Sequence, residues 1–390
     1  MPDLTTHPAL LVLFIAVVAT LLGEIPIGIR VPTGVLQVAL GILVGPHVLG
    51  FAKAEGLLAS LGFFGTCALF FMAGMELDLG AVKGRPLSLA LRGWLISLAL
   101  GFVIASLLHV LPFVRSPIMV AIALTTTSLG ILMSILRDGG ELGTPFGRLV
   151  LAAGAAGEFC PVVVMSLVFA RDYTTWQEAG LLLVFVALAV FCALVALGLR
   201  PPRVIAYLSR SMNKTAQLPV LLAMLLLAGF GSLAQVFGLE AIMGGFAAGM
   251  VVGLATRGED GEPMRAKIAA ITYGFFVPFF YVVSGMKFDL TALLGSTKAL
   301  SLLPLFVVLL LLVRGTPVFL YRAELAPGER VPFVLYTSLG LSILIAVTNI
   351  GVETGRMLPE IAAALVGAGM VSVLVFPALA MWLRSRAASS

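Results

Sequence analysis

Residues 125–130 read Thr-Thr-Thr-Ser-Leu-Gly and lie in the middle of an apolar run at 116–136. These residue types are poor helix formers, because their hydroxyl groups compete for backbone hydrogen bonds. Non-helical backbone at bilayer depth is tolerated only where protein or a water-filled cavity satisfies it. We therefore predict a membrane span that is broken near Thr126, Thr127 and Ser128. The alternative is a continuous helix whose small residues pack against a neighbour.

The same pattern recurs in the second half of the chain, in the apolar run at 333–352. There the sequence Thr-Ser-Leu-Gly-Leu-Ser contains Thr337, Ser338, Gly340 and Ser342. Its match to the first run predicts a second break. Two more pairs of segments repeat in the same order at nearly the same offset. They are Gly-Ile-Leu-Val-Gly at 41–45 with Gly-Met-Val-Val-Gly at 249–253, and Gly-Met-Glu-Leu-Asp at 74–78 with Gly-Met-Lys-Phe-Asp at 285–289.

The composition places these runs in a membrane. Of the 390 residues, 60% are hydrophobic and 11% are charged, and the mean hydropathy is +1.13. Soluble proteins are about 45–50% apolar and about 25% charged, so a cytosolic enzyme and a disordered chain are excluded. We predict an all-α integral membrane protein with about 13 transmembrane helices. The predicted spans are 8–28, 33–50, 56–77, 87–111, 116–136, 147–170, 177–199, 217–236, 239–255, 267–286, 299–321, 333–352 and 360–383.

The repeats relate the first six spans to the last six and leave span 177–199 as a connector. Paired spans are separated by an odd number of crossings, so the two repeats have inverted topology, which is typical of secondary transporters. Most loop Lys and Arg then share the side of the C-terminus, which predicts an outside N-terminus and a cytoplasmic C-terminus. The net charge of +5 is spread over loops and indicates topology, with no nucleic acid as a partner.

Two charged residues, Glu158 and Arg314, remain well inside predicted spans. An ionisable group at this depth costs at least about 2.5–3.5 kcal/mol and is a functional hypothesis by default. Their opposite signs permit a mutual pair. Because Arg stays protonated in proteins, Glu158 is the candidate for exchanging a proton, and Arg314 is the candidate for a fixed counter-charge. The alternative is a purely structural ion pair.

Each of these charges precedes a proline by three positions. Pro161 and Pro317 are predicted to interrupt their helices, since a proline removes the donor for the carbonyl four residues earlier. Pro161 frees the carbonyl of Gly157, and Pro317 frees that of Val313. Backbone carbonyls and hydroxyls are hard oxygen ligands for small cations. The predicted cation ligands are therefore Glu158, Gly157, Thr126, Thr127 and Ser128.

These motifs resemble the prokaryotic cation:proton antiporters of the second, sodium/hydrogen-exchanger-like family. The resemblance covers nearly the whole chain. It implies two discontinuous, crossing helices and a core that carries the ion across the bilayer like an elevator. It also implies a homodimer in the plasma or inner membrane, with no cofactor besides the transported cation and proton. The implied dimer domain is 1–86 and 217–297, the connector is 177–216, and the transport core is 87–176 and 298–390.

The chain departs from the family pattern at three places. Where electrogenic members have two adjacent aspartates, this chain has Gly157 and Glu158, and the family's frequent Lys is Arg314. The Arg-Gly-Glu found near the second break of many relatives is Leu-Gly-Leu at 339–341. One carboxylate that exchanges one proton for one monovalent cation moves no net charge. The sequence thus predicts electroneutral exchange of Na⁺ or K⁺ for H⁺ and no enzyme activity. The alternatives are a proton-coupled transporter of an organic solute or anion on this scaffold, or a gated pore or sensor.

Overall fold

The structure is a computed structural model that describes residues 8–24, 33–76, 84–110, 114–138, 140–169, 217–236, 241–256 and 261–388, with single residues at 180 and 187. Every regular element within these ranges is helical. The α-helices are α1 Pro8–Glu24, α2 Thr33–Val44, α3 Gly56–Glu76, α4 Arg85–Val110, α5 Pro117–Leu124, α6 Leu129–Asp138, α7 Pro145–Phe169, α8 Leu218–Val236, α9 Ala241–Ala255, α10 Glu262–Ile271, α11 Val277–Lys287, α12 Leu290–Leu294, α13 Thr297–Gly315, α14 Arg330–Thr337, α15 Ser342–Glu353 and α16 Pro359–Ala388.

Within these ranges, eight helices are long and apolar enough to cross a membrane, and three shorter apolar helices occupy 9–24, 33–44 and 242–255. The predicted span at 116–136 is present as the separate helices α5 and α6. Every predicted span is thereby accounted for except 177–199, which lies outside the described residues apart from positions 180 and 187. The all-helical membrane fold predicted from the sequence is confirmed.

Two helices end earlier than the hydrophobicity predicts, and a proline explains each case. Helix α2 ends at Val44 although the apolar run continues to residue 50, because Pro46 disfavours helical backbone at Gly45. Helix α13 ends at Gly315 and continues as a 3₁₀ segment, Thr316–Tyr321, around Pro317. The prediction that Pro317 interrupts its helix is therefore confirmed.

The same prediction is wrong for Pro161. Helix α7 continues through this residue from Pro145 to Phe169. A proline removes one hydrogen bond from a helix, but the helix can continue if another group satisfies the freed carbonyl. The carbonyl of Gly157 does obtain such a partner, the backbone N–H of Thr127 at 2.9 Å.

The chain divides into two units, and the first contains residues 1–14, 54–77 and 166–283. Its core is the contact between α3 and α9. Three glycines of α9 at four-residue spacing, Gly245, Gly249 and Gly253, each lie directly against backbone of α3, where a Cβ atom would collide with a carbonyl oxygen. Small residues at this spacing allow two membrane helices to pack backbone to backbone.

The second unit contains residues 15–53, 78–165 and 284–390, and it holds both predicted breaks. Within the span at 327–353, 89% of the residues in its apolar 18-residue stretch are buried, the largest share among the eight long apolar helices. It therefore contacts protein on nearly all sides. Helix α5 is similarly enclosed, with Met119 to Leu124 all buried.

Candidate functional site

The first break separates α5 from α6. Residues 125–128 are fully buried and are not part of either helix. Thr125 and Thr126 each donate their hydroxyl to a carbonyl of α5, Ile122 and Ala123 respectively, at 2.8 Å. These two hydroxyls therefore cap the end of their own helix. Thr127 and Ser128 instead form hydrogen bonds to other elements.

The second break separates α14 from α15. Thr337 and Ser338 donate their hydroxyls back to carbonyls of α14, Ser338 to Val334 at 2.7 Å. Residues 338–341 connect the two half-helices and are buried. Both breaks predicted from the Thr-Ser-Leu-Gly motif are thus present, and in each one hydroxyl groups close the preceding half-helix.

The two breaks cross and are joined by hydrogen bonds. Ser128 N–H donates to the carbonyl of Leu339 at 2.6 Å, and Ser128 Oγ accepts from Leu341 N at 2.8 Å and from Ser342 N at 3.2 Å. Ser342 is the first residue of α15, so Ser128 caps a half-helix from the opposite repeat. With two N–H donors on it, the Ser128 oxygen has no lone pair left for a cation in this conformation.

Glu158 lies on α7, is 5% exposed and faces the first break. Its Oε2 accepts a hydrogen bond from Leu129 N at 2.6 Å. Leu129 is the first residue of α6, so the carboxylate lies at the positive end of a half-helix, where backbone N–H groups lack helical partners. This environment stabilises a negative charge at bilayer depth.

Arg314 lies near the end of α13 and is also 5% exposed. Its Nε donates to the carbonyl of Thr337 at 3.2 Å, and its Nη2 donates to the carbonyl of Ala153 at 2.9 Å. Thr337 is the last residue of α14, where carbonyls carry partial negative charge. The arginine therefore neutralises one half-helix end while Glu158 neutralises another of opposite sign.

Gly157 explains how Arg314 and the first break can approach α7 together. A Cβ atom on Gly157 would lie 2.7 Å from Nη2 of Arg314 and would also collide with the hydroxyl of Thr127. A larger residue would displace one of these two groups. The carbonyl of Gly157 accepts the Thr127 N–H, which leaves one lone pair for a further ligand.

The structure thus brings together most of the predicted site residues. Thr127, Ser128, Gly157, Glu158, Arg314 and the backbone of Thr337 and Ser342 form one hydrogen-bonded group. Gly340 lies beside Thr126, since a Cβ atom on Gly340 would be 3.0 Å from Thr126 Oγ1. The hydroxyls of Thr126 and Ser338 are directed to their own helices. Within the described residues, no group of three or more His, Cys, Asp or Glu could hold a metal ion.

Two buried serines belong to this region and were not predicted from the sequence. Ser97 on α4 donates its hydroxyl to the carbonyl of Val313 at 2.8 Å, which is the carbonyl that Pro317 frees. Ser372 on α16 accepts the N–H of Gly340 at 3.2 Å. A freed carbonyl can be predicted from the position of a proline, but its partner comes from a helix distant in sequence.

The chain is similar to several known transport proteins. The chain matches the family described as "Sodium/hydrogen exchanger, transmembrane" over residues 10–383. It is 28% identical over 272 residues to the Na⁺/H⁺-K⁺ antiporter GerN of Bacillus cereus, covering 68% of each protein. It is 24% identical over 346 residues to a probable Na⁺/H⁺ antiporter of Methanocaldococcus jannaschii, covering 86% of each.

A solved structure agrees with this assignment at the level of the fold. The sodium proton antiporter MjNhaP1 from Methanocaldococcus jannaschii superimposes with a TM-score of 0.68 over 97% of both chains, at 17% sequence identity. The relatives are transporters by name, and the family is one of transporters, not of enzymes. The match over residues 10–383, together with the two crossed helix breaks, shows that the chain belongs to the sodium/hydrogen exchanger family.

Proposed function

We propose that this protein is a secondary transporter that exchanges a monovalent cation, Na⁺ or K⁺, for H⁺ across the membrane. The observation that carries this proposal is the buried carboxylate of Glu158 at the N-terminus of the broken helix α6, 2.6 Å from Leu129 N. This group can lose a proton and then attract a cation. The names of the relatives, which include sodium, potassium and protons, support the same substrates.

Cation and proton compete for Glu158 in this mechanism. The protonated carboxyl is neutral and does not attract a cation, whereas the carboxylate binds one with help from nearby oxygens. Gly157 O, Thr126 Oγ1 and Thr127 Oγ1 are the proposed neighbouring ligands. Ser128 can contribute only if α15 releases its hydroxyl, because Leu341 N and Ser342 N use it in the present conformation.

The exchange is proposed to be electroneutral. Arg314 stays protonated through the cycle, and its guanidinium is held by the carbonyls of Ala153 and Thr337. Glu158 is then the single titrating group of the site, so one proton is replaced by one monovalent cation. The core therefore carries the same net charge whether it crosses with a bound cation or with a bound proton.

Alternating access is proposed to be of the elevator type. The moving core comprises 87–176 and 298–390, residues 177–216 connect the repeats, and the fixed dimer domain comprises 1–86 and 217–297. Two polar pairs cross this proposed border: Lys287 Nζ with Glu353 Oε1 at 2.8 Å, and Asn349 Nδ2 with Ser284 Oγ at 3.5 Å. These pairs must separate when the core moves. We further propose that the protein forms a homodimer in the plasma or inner membrane, with the N-terminus of each chain outside.

Proteoliposomes with an internal pH dye test the proposal. Addition of Na⁺, K⁺ or Li⁺ outside should drive protons through the wild type but not through Glu158→Gln. The amide of glutamine keeps an oxygen that can accept the Leu129 hydrogen bond but cannot exchange a proton. Glu262→Gln is the control, since the Glu262 side chain is 71% exposed. The proposal would be contradicted by an unchanged proton flux in Glu158→Gln. It would also be contradicted if no alkali cation drove proton movement in the wild type.

A further inference from the structure

The last helix, α16, contacts the second break through two residues one turn apart. Gly369 lies against Gly340, where a Cβ atom on Gly369 would collide with the Gly340 carbonyl oxygen. Ser372 accepts the N–H of Gly340 at 3.2 Å and donates its own hydroxyl to the carbonyl of Gly369 at 2.7 Å. We call Gly369 and Ser372 the α16 clamp. Ser372 binds the N–H of Gly340, and the missing side chain of Gly369 leaves the space that the Gly340 carbonyl occupies.

The clamp satisfies a group that has no helical partner. Gly340 lies between α14 and α15 and is buried. A buried backbone N–H without a partner is costly, and such groups are nearly always paired in native proteins. Ser372 is fully buried as well, so water does not compete with it in this conformation. The position of Gly340 therefore depends on this hydroxyl.

Hydrogen bonds and the peptide bonds between neighbouring residues together connect the α16 clamp to Glu158. The two neighbours of Gly340 bond to Ser128, Leu339 through its carbonyl and Leu341 through its N–H. Ser128 is followed by Leu129, whose N–H binds Glu158 Oε2. A shift of Gly340 would therefore move Ser128 and change the geometry of the N–H that holds the carboxylate.

We propose that Gly369 and Ser372 are positioning residues for cation and proton exchange at Glu158. They act through Gly340 and Ser128 and do not contact the cation. The inference rests on the proposed antiport function, and it adds α16 to the elements that determine the affinity of the site. The chain carries no charged residue at 339–341, so the contacts of Gly340 itself are with neutral groups, whereas Arg314 binds the preceding half-helix at Thr337.

The sharpest test compares Ser372→Thr with Ser372→Val. The two side chains have nearly the same shape, and only threonine keeps the hydroxyl. Apparent KM for the cation and the pH at half-maximal exchange are measured in proteoliposomes, per amount of folded protein. We expect Ser372→Thr to have a KM and a pH profile close to those of the wild type. We expect Val to raise KM at least about fivefold, as the loss of one buried hydrogen bond implies, and to shift the pH profile.

A second pair of variants tests the glycine side of the clamp. Gly369→Ala introduces a Cβ against the backbone of Gly340, whereas Gly367→Ala on the same helix places one 2.9 Å from the side-chain atom Cδ1 of Leu303. A side-chain terminus can rotate away, but a backbone carbonyl cannot. Gly369→Ala should raise KM, and Gly367→Ala should not. This pair decides the question if Ser372→Val yields no folded protein.

The outcomes separate this inference from the function on which it rests. A wild type that exchanges no alkali cation overturns the proposed function. If the wild type exchanges cations but Ser372→Thr and Ser372→Val have the same KM and pH profile, the positioning role of the α16 clamp is contradicted. The proposed antiport function is then unaffected. Equal KM values for the two alanine variants would also overturn the clamp.

Discussion

Thr127 donates its hydroxyl to the carbonyl of Thr337 at 2.6 Å, and these two residues occupy equivalent positions in the two repeats. The hydrogen bond therefore lies where the repeats meet. The same carbonyl accepts Nε of Arg314 at 3.2 Å. One carbonyl oxygen of the second repeat thus connects the first break with the guanidinium of Arg314.

Removal of this hydroxyl should affect both stability and transport. Thr127→Val keeps the shape of the side chain and removes the donor, and the Thr337 carbonyl keeps Arg314 as a partner. We therefore expect a loss of about 0.5–1.5 kcal/mol in the free energy of unfolding and slower exchange. Thermal unfolding in detergent and the proteoliposome assay measure the two effects. Thr125→Val is the matched control, since its hydroxyl is buried in the same break, bonds to Ile122 of its own helix and is not a proposed cation ligand. Equal effects of the two variants would show that the Thr337 bond has no special role.

Arg314 should not be replaceable by lysine. Its Nε and Nη2 reach carbonyls of two different helices, and a lysine ammonium is a single point charge without this planar fork. We expect Arg314→Lys to unfold at a lower temperature and to transport more slowly, although the formal charge is unchanged. Arg322→Lys, at an exposed position, serves as the control. An Arg314→Lys protein with wild-type stability and rate would indicate that only the charge matters.

Transport should proceed without current. Glu158 is the single titrating group in the proposed cycle, so the exchange rate should not depend on membrane potential. A planar membrane held at imposed voltages, with Na⁺ as the transported cation and no K⁺ present, tests this. A rate that rises with an imposed potential, or a current that grows with turnover on a planar membrane, would contradict electroneutral exchange.

The pair formed by Lys287 and Glu353 should influence the balance between the two access states. We expect Lys287→Glu to change the apparent KM on one side of the membrane by a few fold at most, because a largely exposed ion pair is weak. The doubly reversed variant Lys287→Glu/Glu353→Lys should restore the wild-type value. Reversal of Arg265 and Glu262, which pair within one helix, is the control. Failure of the double variant to recover would argue against a role for the pair.

Much of the site could be predicted because the signals are local. Hydroxyl-rich segments within apolar runs predicted both breaks, and the rarity of charge at bilayer depth singled out Glu158 and Arg314. Both residues are buried at the crossing, as expected. The glycine beside Glu158 was noted for its carbonyl, but its second role could not be predicted. The space it leaves for Arg314 and Thr127 is visible only when three helices are assembled.

The remaining features depend on tertiary contacts. Pro161 was predicted to interrupt α7, but the helix continues because Thr127, distant in sequence, satisfies the freed carbonyl. Ser97 and Ser372 are ordinary serines of apolar helices, and nothing in their neighbourhoods indicates which backbone group they bind. Ser128 was predicted to be a cation ligand, and in this conformation its oxygen caps α15. Whether a hydroxyl serves the ion or the backbone is decided by the partner repeat.

The dual attachment of Ser128 has a dynamic consequence. Its N–H and its oxygen both bind the connection between α14 and α15, so neither half-helix pair can open locally without breaking the contacts of the other. Amide hydrogens at 128, 341 and 342 should then exchange with solvent in a single cooperative event. The crossing would behave as one foldon, and its opening rate would set an upper limit on how fast the site can rearrange around an ion.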